Sequence, residues 1–318
     1  VSSTLRASDH LGTWKARWGI NRMNYLVPAG LYAVGEPTAQ APVLVTANYK
    51  MSFDLVRQAL AGRDVWLLVL ETFGINVWCA AGKGSFGTDE LVARVKGSGL
   101  NRVVSHRRLI LPILGAPGVA AHEVQRRSGF SVAYGTVRAQ DIPAYLDGGE
   151  LTTPAMRQLS FGLYQRLVLV PVEIVLVLKT VSLAGAALYL AAALLYGEAA
   201  ALAALIGFLG AVFTGIALAP VLLPYIPGRS FAVKGALAGV AFSAGFYALA
   251  GGAHWSLPAT LACFLTLPAL SSFYTLNFTG CTTFTSRSGV QKEMRLGLPV
   301  MGSALLASLL LLLAGRLL

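Results

Sequence analysis

Apolar and polar positions follow two different regimes along the 318 residues of this chain. Up to about residue 150, charged and apolar residues alternate in the short blocks of a globular domain. From about residue 160, apolar runs appear that each approach the ~20 residues needed to cross a bilayer. After Pro42 the first regime reads as strands and helices in turn. Val43–Ala47 is a short apolar strand, Phe53–Leu60 a helix, and Val65–Leu70 a continuous apolar run suited to a parallel strand buried on both faces. A short helix around residue 79 follows, then a helix at Thr88–Lys96. Val103–Val104 and Leu109–Leu114 are strand candidates, Val119–Arg127 is helical, and Phe130–Tyr134 is a last strand. This alternation predicts an α/β domain over 41–150, a parallel sheet with helices on both faces. Residues 1–40, with Trp14, Arg17, Trp18, Tyr25, Pro28 and Gly30, read as an extended lead-in with turns.

The second regime predicts an all-α transmembrane domain over 151–318 with spans near 168–195, 199–222, 232–251, 257–276 and 298–315. The first is long, with Pro171, Glu173 and Lys179 near its start, and is expected to begin along the interface before it crosses. Arg229 and Lys234 flank one connection, and Arg287, Lys292 and Arg295 lie in another. The alternate connections carry no Lys or Arg. The positive-inside rule then puts the basic loops and the N-terminal domain on the cytoplasmic side of an inner membrane, with the C-terminus outside.

Composition narrows the function. The net charge of +11 comes from scattered basic residues that largely flank apolar segments, with no basic stripe and interleaved aromatics, so nucleic acid is not the expected partner. Only Glu173, Glu198 and Glu293 of the fourteen acidic residues lie beyond position 150, too few to support proton transport. The three cysteines, Cys79, Cys263 and Cys281, form no CxxC pair, which excludes the usual zinc and iron–sulfur spacings. His10 and His254 read as surface residues, and His106 and His122 have no partner at ligand spacing. No apolar signal-peptide core follows Val1.

The candidate chemistry gathers at Cys79, the only cysteine of the polar half. Asn76 is a good N-cap and Gly82 a good C-terminal stop, so Cys79 is expected at the third helical position. Unpaired N–H groups and the helix dipole there favour a thiolate, as nucleophile or as metal ligand. The helix follows one strand end, and Gly115-Ala-Pro-Gly118 follows another. Both fall on the edge where open α/β sheets bind ligands. Gly82-Lys-Gly-Ser-Phe-Gly87 matches G-x-G-x-x-G in letter, but it starts about ten residues after the strand and lacks the following acidic residue. A glycine turn that lets backbone approach another large ligand fits better. Cys263, within an apolar span, reads as packing, and Cys281, in a Thr-rich loop, as structural or as a soft-metal contact.

The run Asn76-Val-Trp-Cys-Ala-Ala-Gly-Lys83 closely resembles the signature of the corrinoid protein of the microbial mercury-methylation pair. The resemblance continues through Gly84-Ser-Phe-Gly-Thr-Asp-Glu90, Pro42-Val-Leu-Val-Thr-Ala-Asn48, Gly115-Ala-Pro-Gly118 and the five-span tail. The soluble domain is similar to the corrinoid-binding part of the corrinoid iron–sulfur protein of the acetyl-CoA pathway. Asn277-Phe-Thr-Gly280 and Thr285-Ser-Arg-Ser-Gly-Val290 echo that wider family. The resemblance implies a Rossmann-like domain holding cobalamin base-off, with Cys79 as lower axial cobalt ligand, and methyl transfer to Hg(II) that yields methylmercury. It implies that Asn76, Val77, Trp78, Ala80, Gly82 and Lys83 shape the cap helix. Gly84, Gly87 and Thr88 would approach the corrin, and Thr46, Asn48, Gly115, Ala116, Pro117 and Gly118 would complete the pocket. It implies as partners a ferredoxin-like reductant with two 4Fe–4S clusters and a methyl-donor protein or methyltetrahydrofolate. The residues agree in lacking the D-x-H-x-x-G motif of common cobalamin domains, and a soft thiolate is a plausible donor to cobalt. Three readings compete: a membrane-tethered corrinoid carrier with another methyl acceptor, a transporter with a regulatory domain, and a nucleotide-dependent oxidoreductase. The spans show neither paired charges nor an inverted repeat for transport.

Overall fold

A computed structural model describes the backbone of residues 1–282 and 285–317, and side chains there except at 280, 281, 287 and 317. The readings placed on Cys281, and on Gly280 and Arg287 of the loop motifs, lie outside the described side chains. The chain divides into two compact units, Val1–Ser160 and Phe161–Leu318.

The first unit is built on a five-stranded sheet in the order β1-β3-β2-β4-β5, with β1 Gly30–Val34, β2 Val43–Ala47, β3 Val65–Leu70, β4 Arg108–Leu111 and β5 Ser131–Tyr134. β2 to β5 are parallel, whereas β1 runs antiparallel along β3, so the sheet is mixed rather than wholly parallel. Alternate residues of the central strands enter two cores. Val43, Val45, Leu68, Leu70, Leu109 and Leu111 face α3 (Val77–Lys83), α4 (Thr88–Gly97) and α6 (Ala121–Ser128). Leu44, Val65, Leu67, Val69 and Ile110 face α2 (Lys50–Ala59) and α7 (Ile142–Asp147). Burial on both faces is why β2 and β3 are continuous apolar runs.

Several sequence-based expectations change. The lead-in is ordered, with α1 at Ala7–Arg17, a short 3-10 turn at Arg22–Asn24 and strand β1. α1 escapes a pattern search because its inward positions, Asp9, Gly12 and the buried Ala16, include no large apolar residue. Val103–Val104 is no strand. Val103 ends a one-turn helix, α5 (Leu100–Val103), and Val104 is its buried C-cap. β4 stops at Leu111 rather than Leu114, because Pro112 lacks an N–H for the ladder, and Ile113–Gly118 winds into a 3-10 segment. α3 runs through Gly82 and stops at Gly84, whose φ of 87° provides the left-handed cap.

Among the described residues, the second unit holds five helices long and apolar enough to cross a membrane. A short helix, α8 (Leu163–Leu167), leads into α9 (Val170–Tyr196). α10 (Glu198–Phe213) passes through a π-turn at Thr214–Leu218 into α11 (Ala219–Val221). α12 spans Phe231–Leu249 and α13 spans Leu257–Asn277. α14, Arg287–Leu317, begins about three turns before the expected 298. Polar residues 287–297 hid that start from a hydropathy reading. α12 and α13 approach through small residues. A side chain at Gly235 would meet Thr275, and one at Gly239 would lie 2.6 Å from the Pro268 backbone. This small-xxx-small contact is the usual one between apolar helices.

Candidate functional site

The C-terminal ends of β2 and β3 release the chain into two loops that one side chain ties together. Asn48, fully buried just after β2, accepts at Oδ1 from the backbone N–H of Thr72 (3.1 Å) and of Gly74 (3.3 Å), and Thr72 Oγ1 lies 2.8 Å away. Its Nδ2 donates to Glu71 Oε1 at 2.6 Å. Its side-chain hydrogen bonds all run to residues 71–74, the loop that delivers α3, so Asn48 positions that loop. Phe73 in this loop has a φ of 56°, a left-handed conformation that bulky residues seldom adopt, and its ring is largely exposed.

α3 then places Cys79. Asn76 Oδ1 accepts from the Cys79 backbone N–H at 2.9 Å, which satisfies one open donor of the first turn and stabilises the helix by about 1 kcal/mol. Ala80 and Ala81 form its inner face within the core, Val77 packs against that core, and Trp78 and Cys79 are half-buried. Lys83 and Gly82 are exposed. Burial raises the Cys79 thiol above its ordinary value, while Lys83, Arg22 and the bond to Asn76 pull it down without overcoming that cost. The sequence-based expectation of a helix-activated thiolate is corrected here. Desolvation is the largest influence on the group, which is a thiol at neutral pH.

The glycine turn and the 3-10 segment pack on each other. A Cβ at Gly118 would fall 2.2 Å from Phe86 O and 3.0 Å from the Ala81 Cα. One at Gly115 would strike the Phe86 ring, and one at Gly87 would lie 2.6 Å from Gly84 O. These three glycines answer to the close approach of the protein's own backbone and rings. Gly82 and Gly84 differ, with nothing within 4 Å of an added Cβ. Thr88 Oγ1 accepts from Ala120 N at 2.9 Å and links the turn to the start of α6. Ala116 is half-buried, Pro117 is exposed, and Thr46, level with Val69 in the sheet, is buried.

Two residues that the sequence reading passed over join this edge. Arg22, from the lead-in, has its guanidinium 5.5 Å from the centre of the Tyr49 ring and close enough to Cys79 to lower its pKa. Ser85 Oγ, in the glycine turn, is buried without a hydrogen-bond partner. An isolated arginine in an unpatterned lead-in gave no signal. Ser85 was visible only as a letter within the motif. A cavity of about 640 Å³ lies at the opposite edge among Arg63, Asp64, His106, Arg108 and Asp147. Arg63 there binds Asp147 through two bonds of 2.7 and 2.6 Å, so its charges largely satisfy one another. Among the described residues, no three His, Cys, Asp or Glu side chains gather to hold an ion.

Residues 22–146 match a family model described as CO dehydrogenase/acetyl-CoA synthase delta subunit. The acetyl-CoA decarbonylase/synthase complex subunit gamma of Methanopyrus kandleri is 30% identical over 123 residues, 38% of this chain and 26% of its own length. The gamma 2 subunit of Methanosarcina mazei is 31% identical over 128 residues, with the same two shares. The chain thus spans about a quarter of the length of these relatives. The family match ends at residue 146, before the apolar helices begin, so it is the first unit that is similar to these acetyl-CoA decarbonylase/synthase complex subunits.

Proposed function

We propose that the first unit binds a corrinoid, with Cys79 Sγ as the lower axial ligand of its cobalt, and that the chain passes a methyl group to Hg(II) to give methylmercury. The observation that carries the reading is the half-buried Cys79 on an Asn76-capped helix at the C-terminal sheet edge, delivered by a loop that Asn48 fixes. The site residues fit such a group in two respects. Gly82 and Gly84 leave open space beside the helix, and Ser85 Oγ is a buried polar atom still lacking a partner.

When bound, the corrinoid supplies a cobalt centre that carries methyl, and sulfur beneath it favours release of that methyl toward a soft electrophile such as Hg(II). The chain's own contribution is to hold and tune the sulfur. Burial keeps Cys79 protonated in the free protein, which protects it from indiscriminate metal capture and oxidation. Cys79 Sγ would hold the cobalt as the thiolate, its proton passing to solvent, and the positive charges of Lys83 and Arg22 would favour that anion. Asn76 holds the Cys79 N–H, which fixes the start of the helix that carries the sulfur.

A ferredoxin-like protein with two 4Fe–4S clusters is the proposed reductant, and a methyltetrahydrofolate-linked protein the proposed donor. The five apolar helices are proposed to span an inner membrane with the first unit on the cytoplasmic side. A second reading keeps the corrinoid but gives the methyl a different acceptor. The names of the matched relatives, all acetyl-CoA decarbonylase/synthase complex subunits, favour it.

The test is anaerobic. Purified chain is loaded with methylcobalamin, Hg(II) is added, and methylmercury is quantified for the natural protein and for Cys79→Ala. Methylmercury well above that from free methylcobalamin, lost in Cys79→Ala, is expected. Corrinoid binding without enhanced methylmercury would move the proposal to the second reading, and no corrinoid binding would overturn both.

A further inference from the structure

The lead-in helix α1 is amphipathic with its faces reversed. Leu11, Trp14 and Trp18 recur at i, i+3 and i+7, one stripe of a helix, and that stripe points to solvent. Trp14 is 57% exposed, whereas Ala16 on the opposite face is 1% exposed. The stripe continues past the helix into Ile20 and Met23, both more than half exposed.

What faces inward is charge. Asp9 binds Lys50 Nζ at 2.6 Å and Arg57 at 2.8 Å, and Asp54 binds the same two cations at 2.6 and 2.7 Å. Arg57 also donates to the carbonyls of Ser2 and Thr4. A side chain at Gly12 would collide with the Tyr25 ring, so that face already packs as closely as it can. The four-charge clamp fixes the roll of α1, and the helix cannot turn its tryptophans onto the protein without breaking the partly buried ion pairs of Asp9.

We infer that the stripe Leu11–Trp14–Trp18, continued by Ile20 and Met23, seats in the lipid interface of the membrane crossed by the apolar helices of the same chain. Three observations favour lipid over a soluble partner. Two tryptophans, their ring centres 6.2 Å apart, form the middle of the stripe, and Trp is the residue type that settles at the headgroup level. Exposed Arg6 and Lys15 flank it, matching anionic headgroups. The first apolar helical stretch starts at Leu163, only a few residues after the first unit ends at Ser160, so a bilayer is always within tether reach. The inference rests on the apolar helices being inserted and is independent of the corrinoid reading.

The test uses the full chain in phosphatidylcholine–phosphatidylglycerol vesicles, with and without lipid brominated near the top of the acyl chains. Subtracting the emission of Trp14→Phe/Trp18→Phe isolates two of the five tryptophans. The inference expects this difference emission to fall by about half or more with brominated lipid, and to be shielded from acrylamide. Difference emission indifferent to bromine overturns it in either of two ways. Shielding from acrylamide would then identify a second copy or a protein partner as the cover, and open quenching would show that nothing covers the stripe.

Discussion

Cys79 is governed by opposed influences that its position sets. Asn76, Lys83 and Arg22 favour the anion, burial favours the neutral thiol, and burial prevails. The consequence is a measurable pH dependence. Because the pKa is raised, the thiolate fraction of the folded, cofactor-free protein stays low where an ordinary cysteine begins to ionise. Alkylation of Cys79 by iodoacetamide should therefore be slow below about pH 8.5 and climb only above it, in contrast to a denatured control that reacts readily there. Mass spectrometry of the Cys79 peptide across pH checks this, and fast labelling at neutral pH would contradict the burial argument. The capping residue, the cysteine and its helical position were legible because short-range rules set them. The protonation state was not, since it depends on Arg22, fifty-seven residues away in sequence, and on how deeply the helix docks.

At the level of elements, the site depends on how closely α3, the glycine turn and the 3-10 segment approach. The glycines sort into two kinds, which predicts opposite responses to one methyl group. Gly118→Ala puts Cβ against the backbone of Phe86 and Ala81, so something must shift, at a cost of about 1–3 kcal/mol. Gly82→Ala meets nothing and removes a flexible residue from within α3, so it should stabilise by about 0.5–1 kcal/mol. If the space beside Gly82 is where a ligand approaches, the same Gly82→Ala should weaken corrinoid binding while raising the melting temperature. Thermal unfolding with and without corrinoid separates these effects, and Gly118→Ala melting like the natural protein would refute the close approach. β2 and β3 were legible to the residue because burial on both faces leaves an unbroken apolar signature. α1 was not, because its inward face carries Asp9 where a core helix would carry Leu. Nor was β1, a five-residue edge strand defined by pairing with β3 and not by its own pattern. Val103–Val104 shows the converse, a β-branched pair of which tertiary packing draws Val103 into a helical turn and leaves Val104 as its extended cap.

Across the whole molecule, two units of different solvent preference are joined by an exposed connection. Met156 packs against the first unit's core and accepts a hydrogen bond from Val137, whereas Arg157, next in sequence, is exposed. That makes Arg157 a natural trypsin site and a reporter of sidedness. The apolar helices are odd in number, and the basic residues Arg229 and Lys234 lie at one connection while Lys292 and Arg295 lie at the foot of α14. Charge asymmetry of this kind is what the proposed orientation rests on, with the first unit on the side of the basic connections because one helix separates it from the first connection without Lys or Arg. Lys234 is held by the carbonyls of Leu223 and Ile226, so its charge is fixed near the end of α11 and contributes as an anchored group. Trypsin added to sealed inside-out vesicles should cut at Arg157 and release a fragment of about the first unit's size, while right-side-out vesicles should protect it. Release from right-side-out vesicles would invert the topology. It would also place Cys79 in the oxidising compartment, which would count against its proposed role as a thiol held ready for a reduced cobalt.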